Sequence, residues 1–147
     1  MLDGLFVTPA LTAIAEALAA AHADGKLAVI GHAKLAAALA SADRAIVPVG
    51  MSARAARRLA GALPDLSSVG DRELAGVIGV DLALDDAWQD TLAAWKRVVR
   101  DGGAIVVVDR GRAPEASRRA LCAGLSELEQ RRAGRAVITS GLVTHLS

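Results

Sequence analysis

The chain has 147 residues, 53% of them hydrophobic, a formal net charge of +1 and one cysteine. That length fits one domain able to bury most of its apolar surface, and no apolar run approaches the roughly 18 residues of a membrane span. One cysteine excludes an internal disulfide framework, which sets a cytoplasmic location as the expectation, and an acidic start without a basic n-region argues against a signal peptide.

Thr8-Pro9 reads as the opening of an amphipathic helix, with Thr8 as N-cap and Pro9 in the first turn. Leu11, Ile14, Ala15, Leu18 and His22 fall on one face, and Gly25 ends it. Leu27–Ile30 reads as a short strand, Ala33–Ala40 as an alanine-rich helix, and Arg44–Val49 as a second strand with Pro48 near its end. Ser52 caps a predicted helix Ala53–Leu63 that Pro64 stops, and Leu66–Val69 reads as an edge strand.

Ala75–Leu82 is a continuous apolar run of the kind found in strands buried on both faces. Asp85 or Asp86 starts a long predicted helix to about Arg100, closed by Asp101-Gly102-Gly103. Ala104–Val108 is the strongest strand signal. Pro114 then opens a predicted helix to about Gln130 with Leu121, Leu125 and Leu128 on one face. Arg135–Thr139 and Leu142–Leu146, joined by Ser140-Gly141, read as an antiparallel hairpin. Strands alternating with helices at this spacing predict an α/β sandwich with a mainly parallel sheet.

Several segments together resemble the class I, Rossmann-like S-adenosylmethionine-dependent methyltransferases. They are the strand–turn–helix–strand from Lys26 to Met51, the Val69-Gly70-Asp71 triplet, and DAWQDTLAAWKRVVRDGG followed by AIVVVD over Asp86–Asp109. The hairpin matches the antiparallel end of that family's sheet. The likeness covers residues 26–147, with residues 1–25 as an N-terminal amphipathic helix packed on that domain. It implies a three-layer sandwich and a cofactor edge built from Gly31, His32, Gly50 and Asp71.

The match is poorest where the family holds its cofactor. The glycine-rich turn is here Gly31-His32-Ala33-Lys34, and a side chain at His32 stands where backbone alone would approach the ligand. The second strand ends at Gly50 instead of a ribose-binding carboxylate. At about 1.5–3 kcal/mol for a charge-assisted hydrogen bond, that loss costs on the order of 10- to 100-fold in affinity. The expectation is therefore a vestigial site, no cofactor, and no catalytic residue. The domain would act as a structural or protein-interaction subunit, self-associated or bound to another protein. The alternative is a small divergent methyltransferase that uses S-adenosylmethionine.

Other candidates each have a plain structural reading. Asp81, Asp85 and Asp86 stand at a strand's C-terminal edge, where such sheets place ligands, but a helix cap and a solvated acid account for them. Asp109 beside Arg110 and Arg112 reads as a paired loop charge. His22, His32 and His145 lack metal-ligand spacing, and no metal site is expected. Cys122 reads as a small core hydrophobe, and Trp88, Leu92, Trp95 and Val99 as a helix face on the sheet.

Residues 1–95 carry 7 basic and 11 acidic side chains and residues 96–147 carry 10 and 5, so the two parts stand at −4 and +5. The N-terminal helix, the terminal hairpin and the helix bearing Arg118 and Arg119 are the candidate contact surfaces. With no tyrosine and one phenylalanine, base stacking has few candidates, and nucleic acid is not the expected partner.

Overall fold

A computed structural model describes residues 2–145, with side chains from Pro9 onward. Twelve short segments alternate between helix and strand: α1 (Leu2–Ala20), β1 (Leu27–Ile30), α2 (Ala33–Ser41), β2 (Ile46–Val49), α3 (Ala53–Ala56), β3 (Leu74–Val80), a 3-10 turn (Leu82–Leu84), α4 (Trp88–Val98), β4 (Val99–Asp109), α5 (Ala113–Cys122), β5 (Ser126–Ala133) and β6 (Ala136–Leu142). The strands form one six-stranded sheet in the order β2-β1-β3-β4-β6-β5. The first four are mutually parallel, and β6 runs antiparallel to both β4 and β5. This is the Rossmann-like sandwich expected, with an antiparallel C-terminal hairpin.

The valine-rich run of β4 explains the layering. Successive side chains of a strand point to opposite faces. Val106 and Val108 join Ile14, Leu18, Leu35 and Leu39 on the α1–α2 face, while Ile105 and Val107 join Leu92, Trp95, Val98 and Ala120 on the α4–α5 face. Apolar residues on both faces of one strand make a sheet that helices must cover twice.

Several predicted boundaries move. The N-terminal helix begins at Leu2, so Thr8 lies within it and is not its cap. Proline's fixed φ fits a helix, which can pass through Pro9 at the loss of one backbone bond. His22 is exposed with φ +51 and lies beyond the helix end. The helix expected over Ala53–Leu63 is a single turn, Ala53–Ala56, with no buried residue to hold more of it. Leu66–Val69 forms no strand. Leu63 instead makes an isolated parallel bridge with Val49, and Arg97 takes the carbonyls of Leu66 and Val69 at 2.8 and 3.0 Å.

Asp101-Gly102-Gly103 does not cap α4. Val99 is already extended, and the three residues form a bulge that shifts the β3–β4 register between Leu74↔Val99 and Gly76↔Ala104. The Gly102 N–H donates to Val143 and the Val143 N–H to Gly103, at 2.7 and 2.8 Å, so the bulge is tied to the chain beyond β6.

The helix expected to reach Gln130 stops at Cys122, because Gly124 turns the chain with φ +85 into β5. Its buried face is Ala113, Ala116 and Ala120, while Leu121 is 66% exposed and Cys122 is exposed, not a core residue. The hairpin is therefore β5–β6, turning at Gly134-Arg135 between paired Ala133 and Ala136. Ser140-Gly141 lies inside β6; Leu146 falls outside the described residues.

Candidate functional site

The ends of β1 and β2 bring Gly31, His32 and Gly50 to one edge of the sheet. Gly31 and Gly50 both have left-handed backbone, φ +70 and +69, as abrupt exits from parallel strands require. The Gly31 N–H donates to Val49 at 2.8 Å, and the Gly50 N–H to Leu63 at 2.9 Å. Its chain neighbours Ile30 and His32 aside, nothing stands within 4 Å of the position a Cβ would take at Gly31. His32 directly precedes α2. Its Nδ1 accepts the Leu35 N–H at 3.1 Å, making the imidazole the N-cap of α2.

Asp71 is not part of this edge. It precedes β3 and so stands at the opposite, N-terminal end of the sheet, where its Oδ1 pairs with Arg97 Nη1 at 2.7 Å on the surface. The carboxylate that the fold does bring beside β2 is Asp65, two residues past Leu63, the residue bridged to Val49. A Cβ at Gly50 would lie 3.9 Å from the Pro64 carbonyl, which shows how closely that segment follows the strand tip. Asp65 Oδ1 accepts the Ser67 N–H and hydroxyl at 2.9 and 2.5 Å, and these hydrogen bonds, the hydroxyl's first, hold the acid below the usual carboxylate range. Sequence reading passed over Asp65, since its signal is the bridge at Leu63 and not a motif.

An adenosyl group at this edge would find an open turn at Gly31, but no carboxylate at the β2 tip to take a ribose diol, and an Asp65 already turned to Ser67.

A second constellation lies where β3 and β4 end. Asp109, expected as a loop charge, is 2% exposed at the last position of β4. Its Oδ1 accepts the Ala83 N–H at 3.0 Å, while its Oδ2 is buried and meets no donor among the described residues. Burial pushes its pKa up; the Ala83 hydrogen bond opposes, nearby Asp81 adds to the rise, and Arg119 opposes. Asp81 itself takes the left-handed region, φ +55, at the entry to the 3-10 turn. Asp85 serves the start of α4, accepting the Ala87 N–H at 2.8 Å and the Thr91 hydroxyl at 2.7 Å.

Arg119 frames this crevice from α5. Its Nη1 donates to the Leu82 and Asp85 carbonyls at 2.6 and 2.8 Å and its Nε to Glu115 at 2.6 Å, with the guanidinium 5.3 Å from the Trp88 ring centroid. His145 Nε2 meets the Val99 carbonyl at 2.7 Å, far from either constellation. No group of three or more metal-ligating side chains occurs among the described residues.

No family model matches the sequence, and no curated protein matches it. Solved structures share the fold. Burkholderia thailandensis 1,6-didemethyltoxoflavin-N1-methyltransferase, with bound 1,6-didemethyltoxoflavin and S-adenosylhomocysteine, is similar at a TM-score of 0.72 and 14% identity, over 95% of this chain and 80% of that one. A protein described as a methyltransferase, in complex with the Haloferax volcanii Trm112 methyltransferase activator, is similar at 0.66 and 14%, over 86% and 89%. The T. thermophilus 16S rRNA N2 G1207 methyltransferase, in complex with AdoMet and guanosine, is similar at 0.57 and 18%, over 82% of this chain but 36% of that protein. The chain thus has the fold of the class I S-adenosylmethionine-dependent methyltransferases, in a short form. No helix among the described residues is long and apolar enough to cross a membrane.

Proposed function

We propose that this chain is a methyltransferase-fold domain that works by binding, not by methyl transfer, and that its partner is a protein: a second copy or a different subunit. The observation that carries this reading is the β2 tip. Gly50 offers a ribose no carboxylate, its N–H is spent on Leu63, and Asp71 stands at the other end of the sheet. Of the three expected contact surfaces, α1 turns one face inward with Ala10, Ile14, Ala17 and Leu18, and α5 is tied to the fold at Arg119 while Arg118 and Leu121 stay exposed. The expected hairpin residues lie in the buried inner strand β6, and it is the outer strand β5, paired with it, that bears exposed Glu127, Glu129 and Arg132. The Haloferax structure, a complex with an activator protein, is a precedent for protein partnership on this fold.

Calorimetric titration with S-adenosylmethionine tests it. No heat at millimolar cofactor is expected, while light scattering at several concentrations, alone and with candidate partner proteins, reports assembly. Micromolar binding displaced by S-adenosylhomocysteine would overturn it.

A divergent methyltransferase is the second reading, and it draws on the open turn at Gly31 and on Asp65 beside the β2 tip. Under it, Asp65→Ala weakens cofactor binding at least tenfold and Asp71→Ala leaves it unchanged.

A further inference from the structure

We propose that β5 is the contact surface for a second copy of this chain, whose own β5 pairs with it antiparallel about a two-fold axis at Gln130. The inference rests on the reading that the domain works by binding a protein, and it names which protein and which edge.

The first observation is a row of unspent backbone groups. β5 closes one edge of the sheet and pairs only with β6. Residues along an antiparallel strand alternate between exchanging both backbone bonds with one neighbour and offering them to the other side. Just beyond β6 the Val143 N–H donates to Gly103, on the β4 side, so in that alternation Ala136, Ile138 and Ser140 serve β5. Their partners are Ala133, Arg131 and Glu129. The backbone N–H and C=O of Gln130 and Arg132 therefore point out of the sheet, and no turn or loop hydrogen bond reaches them among the described residues.

The second observation is the order of charge along the strand, Glu127-Leu128-Glu129-Gln130-Arg131-Arg132, acid before base. Reversed by a two-fold axis, such a strand is complementary to itself. With Gln130 facing Gln130 of the second copy, Glu129 of each copy stands directly opposite Arg131 of the other, where unlike charges attract. Glu129 and Arg131 share a face and already pair within the strand at 3.2 Å, so the dimer closes a ring of alternating charges. The outward groups also allow a slip of two residues, but that sets Glu129 opposite Glu129 or Arg131 opposite Arg131. A parallel pairing in register repeats both clashes. One register is favoured.

Charges on an edge strand commonly keep copies apart, and a bulge shortens this one, with Glu127 at φ +50 and the register shifted between Ser126 and Glu129. Repulsion between copies needs one sign of charge, however, and here the sign changes at mid-strand. The bulge leaves residues 129–133 in regular pairing, which confines the contact to a short run and makes the dimer weak.

Sedimentation equilibrium on the full chain tests it: the mass is expected to rise from 15.0 kDa toward twice that between about 10 μM and about 1 mM. Glu129→Arg makes positions 129 and 131 both basic and Arg131→Glu makes them both acidic, so each variant alone is expected to stay at the single-chain mass. Mixed in equal amounts, the two are expected to restore the dimer. Arg132→Pro deletes an outward N–H while leaving the bonds to β6, and its expected loss of the dimer keeps the test open if a charge variant does not fold. A parent that stays single throughout, a dimer of either charge variant alone, a folded mixture that does not associate, or a dimer that survives Arg132→Pro would each overturn this surface. Association that persists in every variant overturns the surface but not the binding reading. Micromolar S-adenosylmethionine binding by a parent that meets the charge-swap expectation overturns that reading and not the surface.

Discussion

The indole of Trp95 lies directly against Gly79: a Cβ placed on that glycine would stand 2.7 Å from Trp95 Cζ2, closer than real Cβ contacts allow. Gly79 is the sixth residue of β3, and Trp95 is the buried aromatic of α4, so this contact sets how near the helix sits to the sheet. Gly79→Ala must therefore push the ring, and with it α4, outward. We expect a loss of about 1–3 kcal/mol by urea unfolding, the range for overpacking a filled core. Trp95→Leu in the same background should recover part of that loss, and an additive double variant would show that the two do not meet.

Arg119 joins two segments that are distant in sequence. It ties α5 to the carbonyls of Leu82 and Asp85, in the turn between β3 and α4. With a side chain only 12% exposed, these are desolvated, charge-assisted bonds. Arg119→Ala leaves two carbonyls short of a donor and should cost about 2–3 kcal/mol. Arg119→Lys should recover little, because one ammonium does not reproduce the fork. Arg118 is more exposed, pairs with Glu115 and lies 5.8 Å from the Trp88 ring centroid, so Arg118→Ala should change stability by under about 1 kcal/mol. Equal losses at the two arginines would refute this division.

What the sequence made legible were the segments whose character is set locally. The LAVI strand, the AIVVV strand and the short alanine helix lie where their residues place them, because β-branched runs and alanine runs decide their own conformation. The errors cluster where tertiary contacts overrule pattern. Leu121, Leu125 and Leu128 have helical spacing, yet Gly124 breaks the helix between them and alanines make its buried face. At the candidate site, glycines Gly31 and Gly50 were placed correctly on one edge. Asp71 was not, since a glycine-aspartate pair carries no information about which end of the sheet it reaches. Asp65 and the burial of Asp109 were invisible for the same reason: both depend on pairings of distant segments, Leu63 with Val49 and Asp109 with Ala83.

Asp71 and Arg97 form an ion pair whose members contribute unequally. Asp71 is 76% exposed, whereas Arg97 also donates to the carbonyls of Val69 and Leu66. An exposed pair is worth about 0–1 kcal/mol, so Asp71→Ala should be nearly silent in thermal melting. Arg97→Ala removes the donors that hold the 66–69 segment and should cost more, with faster amide exchange confined to that segment. A larger loss for Asp71→Ala than for Arg97→Ala would show that the charge, and not the clamp, matters.

His32 is an unusual helix cap, and its removal separates capping from ligand binding. Its Nδ1 serves the Leu35 N–H at 3.1 Å. His32→Ala should cost about 0.5–2 kcal/mol, and His32→Ser should restore most of it because serine caps the same donor. Neither variant is expected to gain affinity for S-adenosylmethionine, since the deficit lies at Gly50. Micromolar binding by His32→Ser would show instead that the imidazole was the obstacle.

Two acids give the stability of this chain opposite slopes with pH. Burial raises the pKa of Asp109 above 3.8, with the Ala83 hydrogen bond opposing, Asp81 adding and Arg119 opposing; Arg110 and Arg112 line a cavity with it. In the interval between its unfolded and folded values the folded chain binds more protons, so stability falls as pH rises through that interval. Glu115 is the reverse. Hydrogen bonds from Arg118 and then Arg119 lower it from 4.5 to about 2, so its contribution is present above 4.5 and is lost as pH falls through about 2. Asp109→Asn keeps the acceptor for Ala83 and removes the buried charge. Its stability relative to the parent should therefore rise as pH increases above the ordinary carboxylate range, measured by urea unfolding in steps from about pH 3 to 8. Glu115→Gln should differ from the parent most at the upper end and converge on it in acid. A pH-independent gap between Asp109→Asn and the parent would mean that the carboxyl at the end of β4 does not titrate as a buried group.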